Sequence, residues 1–220
     1  KIKNPFSIPV RESKKFISKS FDLAHSLAVK KRIKGFINCP IDKRLINISK
    51  NYGITEYLAK KCKIMDNSEV MFIFNKKLAV SPITTHIDIK HVSKNISSSL
   101  IVKKVKKLNK EYKNLFGKIP KIGILGLNPH NAELKINSEE RKIILPAIKK
   151  LKKDKIKISN MLVADTVFIN EYKKYDVIVG MFHDQVLAPF KTLFKFDAIN
   201  LTLGLSYLRL SPDHGPAKNL

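Results

Sequence analysis

The chain has 220 residues, 44% hydrophobic and 28% charged, enough for one large or two small domains with a substantial core. Its net charge of +25 comes from lysine, since only Arg11, Arg32, Arg44, Arg141 and Arg209 are arginines. With no Trp and no aromatic ladder among the lysines, base-reading nucleic-acid binding is disfavoured, and a polyanion-binding module is a remote alternative resting on charge alone.

No apolar run is long enough to cross a bilayer, and Lys1 to Arg11 lack the apolar stretch of a secretory signal. Cys39 and Cys62 form neither a metal-ligand spacing nor a disulfide framework, so a cytoplasmic location is expected. The first residue is Lys rather than Met, as in a fragment or trimmed product.

In chain order, Glu12 to Lys34 carries Ile17, Phe21, Ala24 and Leu27 or Ala28 at helical spacing. Gly35 breaks that pattern, and Phe36 to Cys39 reads as a short buried strand ending at Pro40. Thr55 to Lys63 is a predicted short helix. Glu69 to Phe74 and Leu78 to Val80 are predicted strands joined around Asn75-Lys76-Lys77.

Ser93 to Leu115 is the clearest predicted helix. Ile101, Val105, Leu108, Tyr112 and Leu115 share one face, Lys103, Lys104, Lys106, Lys107, Lys110 and Lys113 are assigned to polar faces, and Gly117 is the stop. Lys121 to Leu127 is a strand. Asn137 followed by Glu140 reads as a capping box for a helix to about Lys153, kinked at Pro146. Asp176 to Met181 and Ala198 to Leu203 are further strands. The alternation predicts an α/β fold with a mixed or parallel sheet, without a Gly-rich dinucleotide fingerprint or P-loop.

Three histidines follow predicted strands: His86, His130 and His183. Ligands of open α/β sheets gather outside the carboxyl ends of strands, and three imidazoles there fit an open-coordinate divalent metal. Spacings of 44 and 53 residues do not separate that reading from unrelated loop histidines. Asp184 and Asp165 are candidates to orient an imidazole, although Asp165 also suits a cap near Thr166. Downstream lie Lys191, Asn200 within an apolar strand, and Arg209, the last suited to gripping a carboxylate or phosphate through two donors.

Six segments occur together and in order: Thr84-Thr85-His86, Gly126-Leu127-Asn128-Pro129-His130, Ala164-Asp165-Thr166-Val167-Phe168, Phe182-His183-Asp184-Gln185, Asn200-Leu201-Thr202-Leu203-Gly204-Leu205 and Asp213-His214-Gly215-Pro216-Ala217. The set resembles the 4-hydroxythreonine-4-phosphate dehydrogenase family of vitamin B6 biosynthesis, with both ends of the family pattern absent. The resemblance implies an isocitrate/isopropylmalate-dehydrogenase-like α/β/α architecture with a mixed, mostly parallel sheet and two subdomains, residues 1–44 with 185–220 and residues 45–184. It implies a homodimer with shared active sites, and one divalent metal (zinc, magnesium, cobalt or manganese) on His86, His130 and His183. NAD or NADP is the implied cofactor.

Thr55, Lys191, Asn200 and Arg209 are the implied contacts to a small phosphorylated hydroxy acid, with Asp165 and Gln185 behind the metal ligands. Lys191 and Asp184 are the candidate catalytic groups, a metal-bound water being the other choice of general base. The implied reaction converts 4-phosphooxy-L-threonine to 3-amino-2-oxopropyl phosphate. The chain departs from the family pattern at Ile54, where a His is expected, at Asp42, where another His is expected, at Asn131 to Leu134, which lack glycines, and at Pro216. These departures keep open a relative acting on threonate or erythronate 4-phosphate, or an impaired family member.

Overall fold

The computed structural model describes residues 9–41, 53–64 and 67–214. The departures at Asp42 and Pro216 lie outside the described residues. After helix α1 (Val10–Val29) and strand β1 (Gly35–Ile37) come helix α2 (Ile54–Lys61) and the antiparallel pair β2 (Val70–Phe74) and β3 (Ala79–Pro82). Asn75 shapes the turn between them, its Oδ1 accepting from Lys77 N at 2.8 Å and Leu78 N at 3.0 Å.

A broken helical stretch follows: a 3₁₀ turn at Ile89–His91, α3 (Val92–Asn95) and α4 (Ser98–Phe116). The predicted single helix is split here because Ser97 caps α4, its Oγ accepting from Leu100 N at 3.1 Å. Gly117, at φ 69°, ends α4 in the left-handed conformation expected of it. Then come β4 (Ile122–Leu125), α5 (Leu145–Lys153), β5 (Ile158–Leu162), α6 (Ala164–Val167), β6 (Val177–Gly180), α7 (His183–Phe194), β7 (Ile199–Leu203) and β8 (Leu208–Pro212).

The described strands form one sheet of order β1-β8-β7-β2-β3-β6-β4-β5. Pairs β1–β8, β3–β6, β6–β4 and β4–β5 are parallel; β2–β3, β2–β7 and β7–β8 are antiparallel. The mixed, mostly parallel α/β sheet expected from the sequence is therefore what forms. Alternate residues of β2 face opposite layers: Val70 and Phe72 pack with Ile101, Val105 and Leu108 of α4 and Leu151 of α5, while Met71 and Ile73 pack with Val186, Leu187 and Phe190 of α7. Burial on both faces explains why the central strands read as continuous apolar runs.

Four local expectations are corrected. Strand β1 is an edge strand rather than a buried one, with Ile37 77% exposed. Lys104 is only 6% exposed, because it lies three residues after Ile101 and four before Leu108, on the apolar stripe of α4. Burial pushes its ammonium pKa down, opposed by Glu69 and Glu56. No capping box forms at Asn137: Glu140 is fully buried and accepts instead from Leu127 N at 2.9 Å and Asn128 N at 2.7 Å. Pro146 does not interrupt α5 but stands in its first turn, after a π-helical segment at Glu140–Ile144.

Candidate active site

Strands β3, β6 and β4 run in the same direction, so the chain leaves all three at one edge of the sheet. Thr84 and Thr85 lead β3 to His86, and Phe182 leads β6 to His183, the first residue of α7. Thr84 is anchored by its Oγ1, which donates to Met181 O at 2.7 Å, so the two exits are tied together. The His86 and His183 rings meet with centroids 5.9 Å apart.

Each of these imidazoles is held at Nδ1 by a carboxylate. His183 Nδ1 lies 2.6 Å from Asp184 Oδ1. His86 Nδ1 lies 3.3 Å from both oxygens of Glu56. Glu56 also accepts from Gly53 N at 2.7 Å and from the Thr85 hydroxyl. Burial would raise the Glu56 carboxyl pKa; its hydrogen bonds to His86, Thr85 and the backbone more than offset that and hold it at about 2. Gly53 makes the approach possible, since a Cβ there would stand 2.3 Å from His86 Cε1.

The sheet face beside α7 carries the second half of the site. Arg209 on β8 is 2% exposed; its Nε donates to Asn38 Oδ1 at 2.7 Å and its Nη1 to Thr202 Oγ1 at 3.2 Å. Thr202 also lies 3.3 Å from Thr55 Oγ1, at the start of α2. Burial lowers the Arg209 pKa to about 10, which still leaves the guanidinium charged at neutral pH. Lys191 on α7 donates to Asp213 O at 2.8 Å, and its Nζ lies 3.2 Å from Asp213 Oδ2, close enough for an ion pair but not aligned as a hydrogen bond. Among the described residues, Asn200 Oδ1 and both Asp213 carboxylate oxygens are buried acceptors without a hydrogen-bond donor.

These groups surround one cavity of about 640 Å³. Ile54, Thr55, His86, His183, Asp184, Lys191, Asn200, Arg209 and Asp213 all line it. It offers two cationic side chains for an anion, two imidazoles with Nε2 left over, and buried acceptors that call for a donor-bearing ligand. The facing imidazoles, each backed by a carboxylate, fit part of a divalent-metal donor set.

His130 is not brought into this cavity. It is exposed and lines a separate recess with Leu145 and Met161. Among the described residues no three His, Cys, Asp or Glu side chains converge as a metal site. Asp165 is exposed in α6 and bonds to none of the three histidines among the described contacts, so its expected orienting role has no geometric support. Gln185 does not touch an imidazole either: its Oε1 accepts from Met181 N and its Nε2 donates to Gly126 O, each at 2.7 Å, tying the exits of β6 and β4.

Glu56 was not singled out by sequence reasoning. The available signal was a Glu at the third helical position after Gly53, the acceptor half of a capping box.

The His130 loop shows the effect of its missing glycines. His130, Asn131, Ala132, Glu133 and Leu134 all have φ between 49° and 55°. Left-handed backbone costs a non-glycine residue about 1–2 kcal/mol. Ala132→Gly is therefore expected to stabilise the fold by about 1 kcal/mol, after the greater unfolded-state entropy of glycine is deducted. Thermal unfolding reads this as a rise of about 2–4 °C; a fall would mean that Ala132 is not left-handed in solution.

Comparison with known proteins places this site in a family context. The family model described as pyridoxal phosphate biosynthetic protein PdxA matches residues 2–220. The 4-hydroxythreonine-4-phosphate dehydrogenase of Sulfurihydrogenibium sp. (strain YO3AOP1) is 44% identical over 191 residues, covering 85% of this chain and 58% of the relative. That of Aquifex aeolicus is 39% identical over 196 residues, covering 88% and 60%. The chain thus spans about three fifths of the length of these relatives.

Among solved structures, the 4-hydroxythreonine-4-phosphate dehydrogenase of Klebsiella pneumoniae superposes with a TM-score of 0.75 at 27% identity, covering 94% of this chain and 62% of that one. A Salmonella typhimurium structure described as a putative enzyme of the same name gives the same TM-score and identity, covering 98% and 68%. The fold is the isocitrate/isopropylmalate-dehydrogenase-like α/β architecture.

Proposed function

The chain belongs to the PdxA family of pyridoxal phosphate biosynthetic proteins, and from that premise we propose that it oxidises and decarboxylates 4-phosphooxy-L-threonine with NAD or NADP as hydride acceptor. The products are 3-amino-2-oxopropyl phosphate, carbon dioxide and the reduced nicotinamide. The observation that carries this reading is the single cavity joining His86 and His183 to Thr55, Lys191, Asn200 and Arg209.

His86 and His183 would hold the divalent metal in this reading. When bound, the metal supplies Lewis-acid polarisation of the substrate oxygen and the nicotinamide supplies hydride acceptance. Arg209, fixed by Asn38 and Thr202, presents its guanidinium without having to be ordered on binding. Lys191 must turn from Asp213 toward the substrate's phosphate or carboxylate, an exchange of one anionic partner for another. Asp184, 81% exposed at its side chain and bonded to His183 Nδ1, is the nearest carboxylate for moving a proton at that end. Beside the cavity, an apolar recess of about 320 Å³ lined by Phe196, Ala198, Ile199 and Leu210 shares Ser211 to His214 with it and has room for a nicotinamide ring.

His130 enters through a second copy. In a homodimer with shared sites, the partner subunit's His130 completes the metal set that one chain leaves open, which accords with its distance from the cavity here.

The alternative substrate, a threonate or erythronate 4-phosphate, is motivated by Ile54, an apolar side chain on the cavity wall. Initial rates on all three compounds with NAD⁺ and NADP⁺ decide between them. Turnover of the threonine derivative at the highest kcat/KM is expected; a preference for a sugar acid would transfer the proposal to that substrate. Ile54→His adds one charge-assisted contact, worth about 1.5–3 kcal/mol. It should raise kcat/KM for the threonine derivative about tenfold or more, and an unchanged value would mean that position 54 does not reach the substrate.

A further inference from the structure

We propose that Glu56 is a positioning residue that fixes the His86 imidazole as the Nδ1–H tautomer, leaving Nε2 as the lone-pair donor on the side of the metal site. The inference rests on the metal reading above but concerns a residue which that reading does not use.

Three features of the geometry carry it. First, Glu56 is built in. Its side chain is 12% exposed, and it gathers Gly53 N–H, the Thr85 hydroxyl and His86 Nδ1 on one carboxylate. The carboxylate partner of His183, Asp184, is 81% exposed and forms one such contact. An exposed side chain restrains its neighbour weakly, whereas a buried one with its other acceptor sites filled holds a single geometry.

Second, a carboxylate can only accept. Lying 3.3 Å from Nδ1 through both oxygens, it requires the ring proton at Nδ1. Third, the backbone makes room for the pair. Gly53 is the N-cap of α2, and a Cβ there would overlap His86 Nδ1 at 2.6 Å and Glu56 Oε2 at 2.8 Å. Sequence neighbours Gly53 and Glu56 on α2 thus organise a side chain thirty residues downstream, at the exit of β3.

The same carboxylate caps α2 through Gly53 N, so a capping role and a positioning role have to be separated. Glu56→Gln does this. Gln serves the third position of a capping box as well as Glu does, but it places an N–H donor where the carboxylate has only acceptors.

The experiment uses the purified chain with Co²⁺ or Zn²⁺ as the probe. Calorimetry gives the metal Kd, and ¹⁵N shifts of the histidine ring nitrogens give the His86 tautomer in the metal-free protein. The unaltered chain is expected to show His86 protonated at Nδ1. Glu56→Gln should weaken metal binding about 10–100-fold and shift His86 toward the Nε2–H form, with its circular dichroism unchanged. Glu56→Asp, which restores the charge one methylene further back, should fall between the two.

Unchanged affinity and unchanged tautomer in Glu56→Gln would overturn the proposal while leaving the metal reading in place. If Glu56→Gln does not fold, the same pair of readings on Glu56→Asp decides, unchanged values again overturning it. If the unaltered chain binds no divalent metal, the metal reading fails, and this proposal with it.

Discussion

His183→Ala and His130→Ala are each expected to lower turnover of 4-phosphooxy-L-threonine by about 10³-fold or more, and mixing the two variants is expected to restore about a quarter of the unaltered rate. The loss follows from what a metal ligand would support in the proposed reaction. Lewis-acid stabilisation of developing charge is worth several kcal/mol, and each 1.36 kcal/mol is tenfold in rate.

The restoration follows from where the two residues lie. His183 faces His86 across 5.9 Å inside the cavity, while His130 opens into a different recess. If each site takes His86 and His183 from one subunit and His130 from the other, a mixed dimer holds one site damaged twice and one intact. Random re-association makes half of the dimers mixed, with half of their sites sound, hence about a quarter. Steady-state assays on unfolded-and-refolded mixtures, with size-exclusion chromatography to confirm exchange, check this. Mixtures no more active than their components would place all three histidines within one subunit or remove His130 from the site.

Arg209→Lys carries the second-largest expected effect: a fall in kcat/KM of about 10²-fold with the fold retained. The positive charge is conserved, so a purely Coulombic role predicts almost no change. The structure argues otherwise. Arg209 is 2% exposed, and two of its donors are committed to Asn38 and Thr202, aiming the remainder of the fork at the cavity. The three donors of an ammonium radiate from a single nitrogen on a shorter stem and cannot reproduce the planar fork that reaches Asn38, Thr202 and the cavity together. An ammonium is also more strongly hydrated than a guanidinium, so burial costs it more. Loss of one or two charged hydrogen bonds at about 1.5–3 kcal/mol each gives the stated range. Rates as a function of substrate concentration check it, with most of the loss expected in KM because the contact is made to the bound ground state as well as the transition state. A kcat/KM within twofold of the unaltered protein would exclude Arg209 from substrate binding.

Much of the scaffold was legible because its signals are local. The apolar face of α4, the Gly117 stop, the Asn75 turn and the strand exits preceding the histidines are all set by residues within a few positions of one another. What escaped was set by partners distant in sequence. Glu140 looked like a helix cap, yet it folds back to hold the Leu127–Asn128 loop. Lys104 sat among lysines that are mostly solvated, and its phase on α4 was outweighed by that company. Short β5 carries little alternation of its own, and β8 alternates with its polar residues Arg209 and Ser211 buried, so both are fixed by pairing with β4 and β7.

The site divides the same way. His86, His183, Lys191, Asn200 and Arg209 were recognisable from flanking residues, and the fold gathers them with Thr55 in one cavity. Glu56 was hidden behind the more conspicuous Ile54 two positions earlier, although both its carboxylate oxygens lie 3.3 Å from His86 Nδ1 at that end of the cavity. Asp165, exposed on α6, contacts none of the three histidines among the described residues.

The measurement that tests the central claim most directly is reduction of NAD⁺ or NADP⁺ by protein stripped with a chelator, supplied with 4-phosphooxy-L-threonine, before and after a divalent metal is returned. Reduced nicotinamide forming only after the metal is added, in step with release of carbon dioxide, is the predicted result. Nicotinamide reduction at the same rate in the stripped protein, or none in the metal-restored protein with any of the three phosphorylated acids, would contradict it.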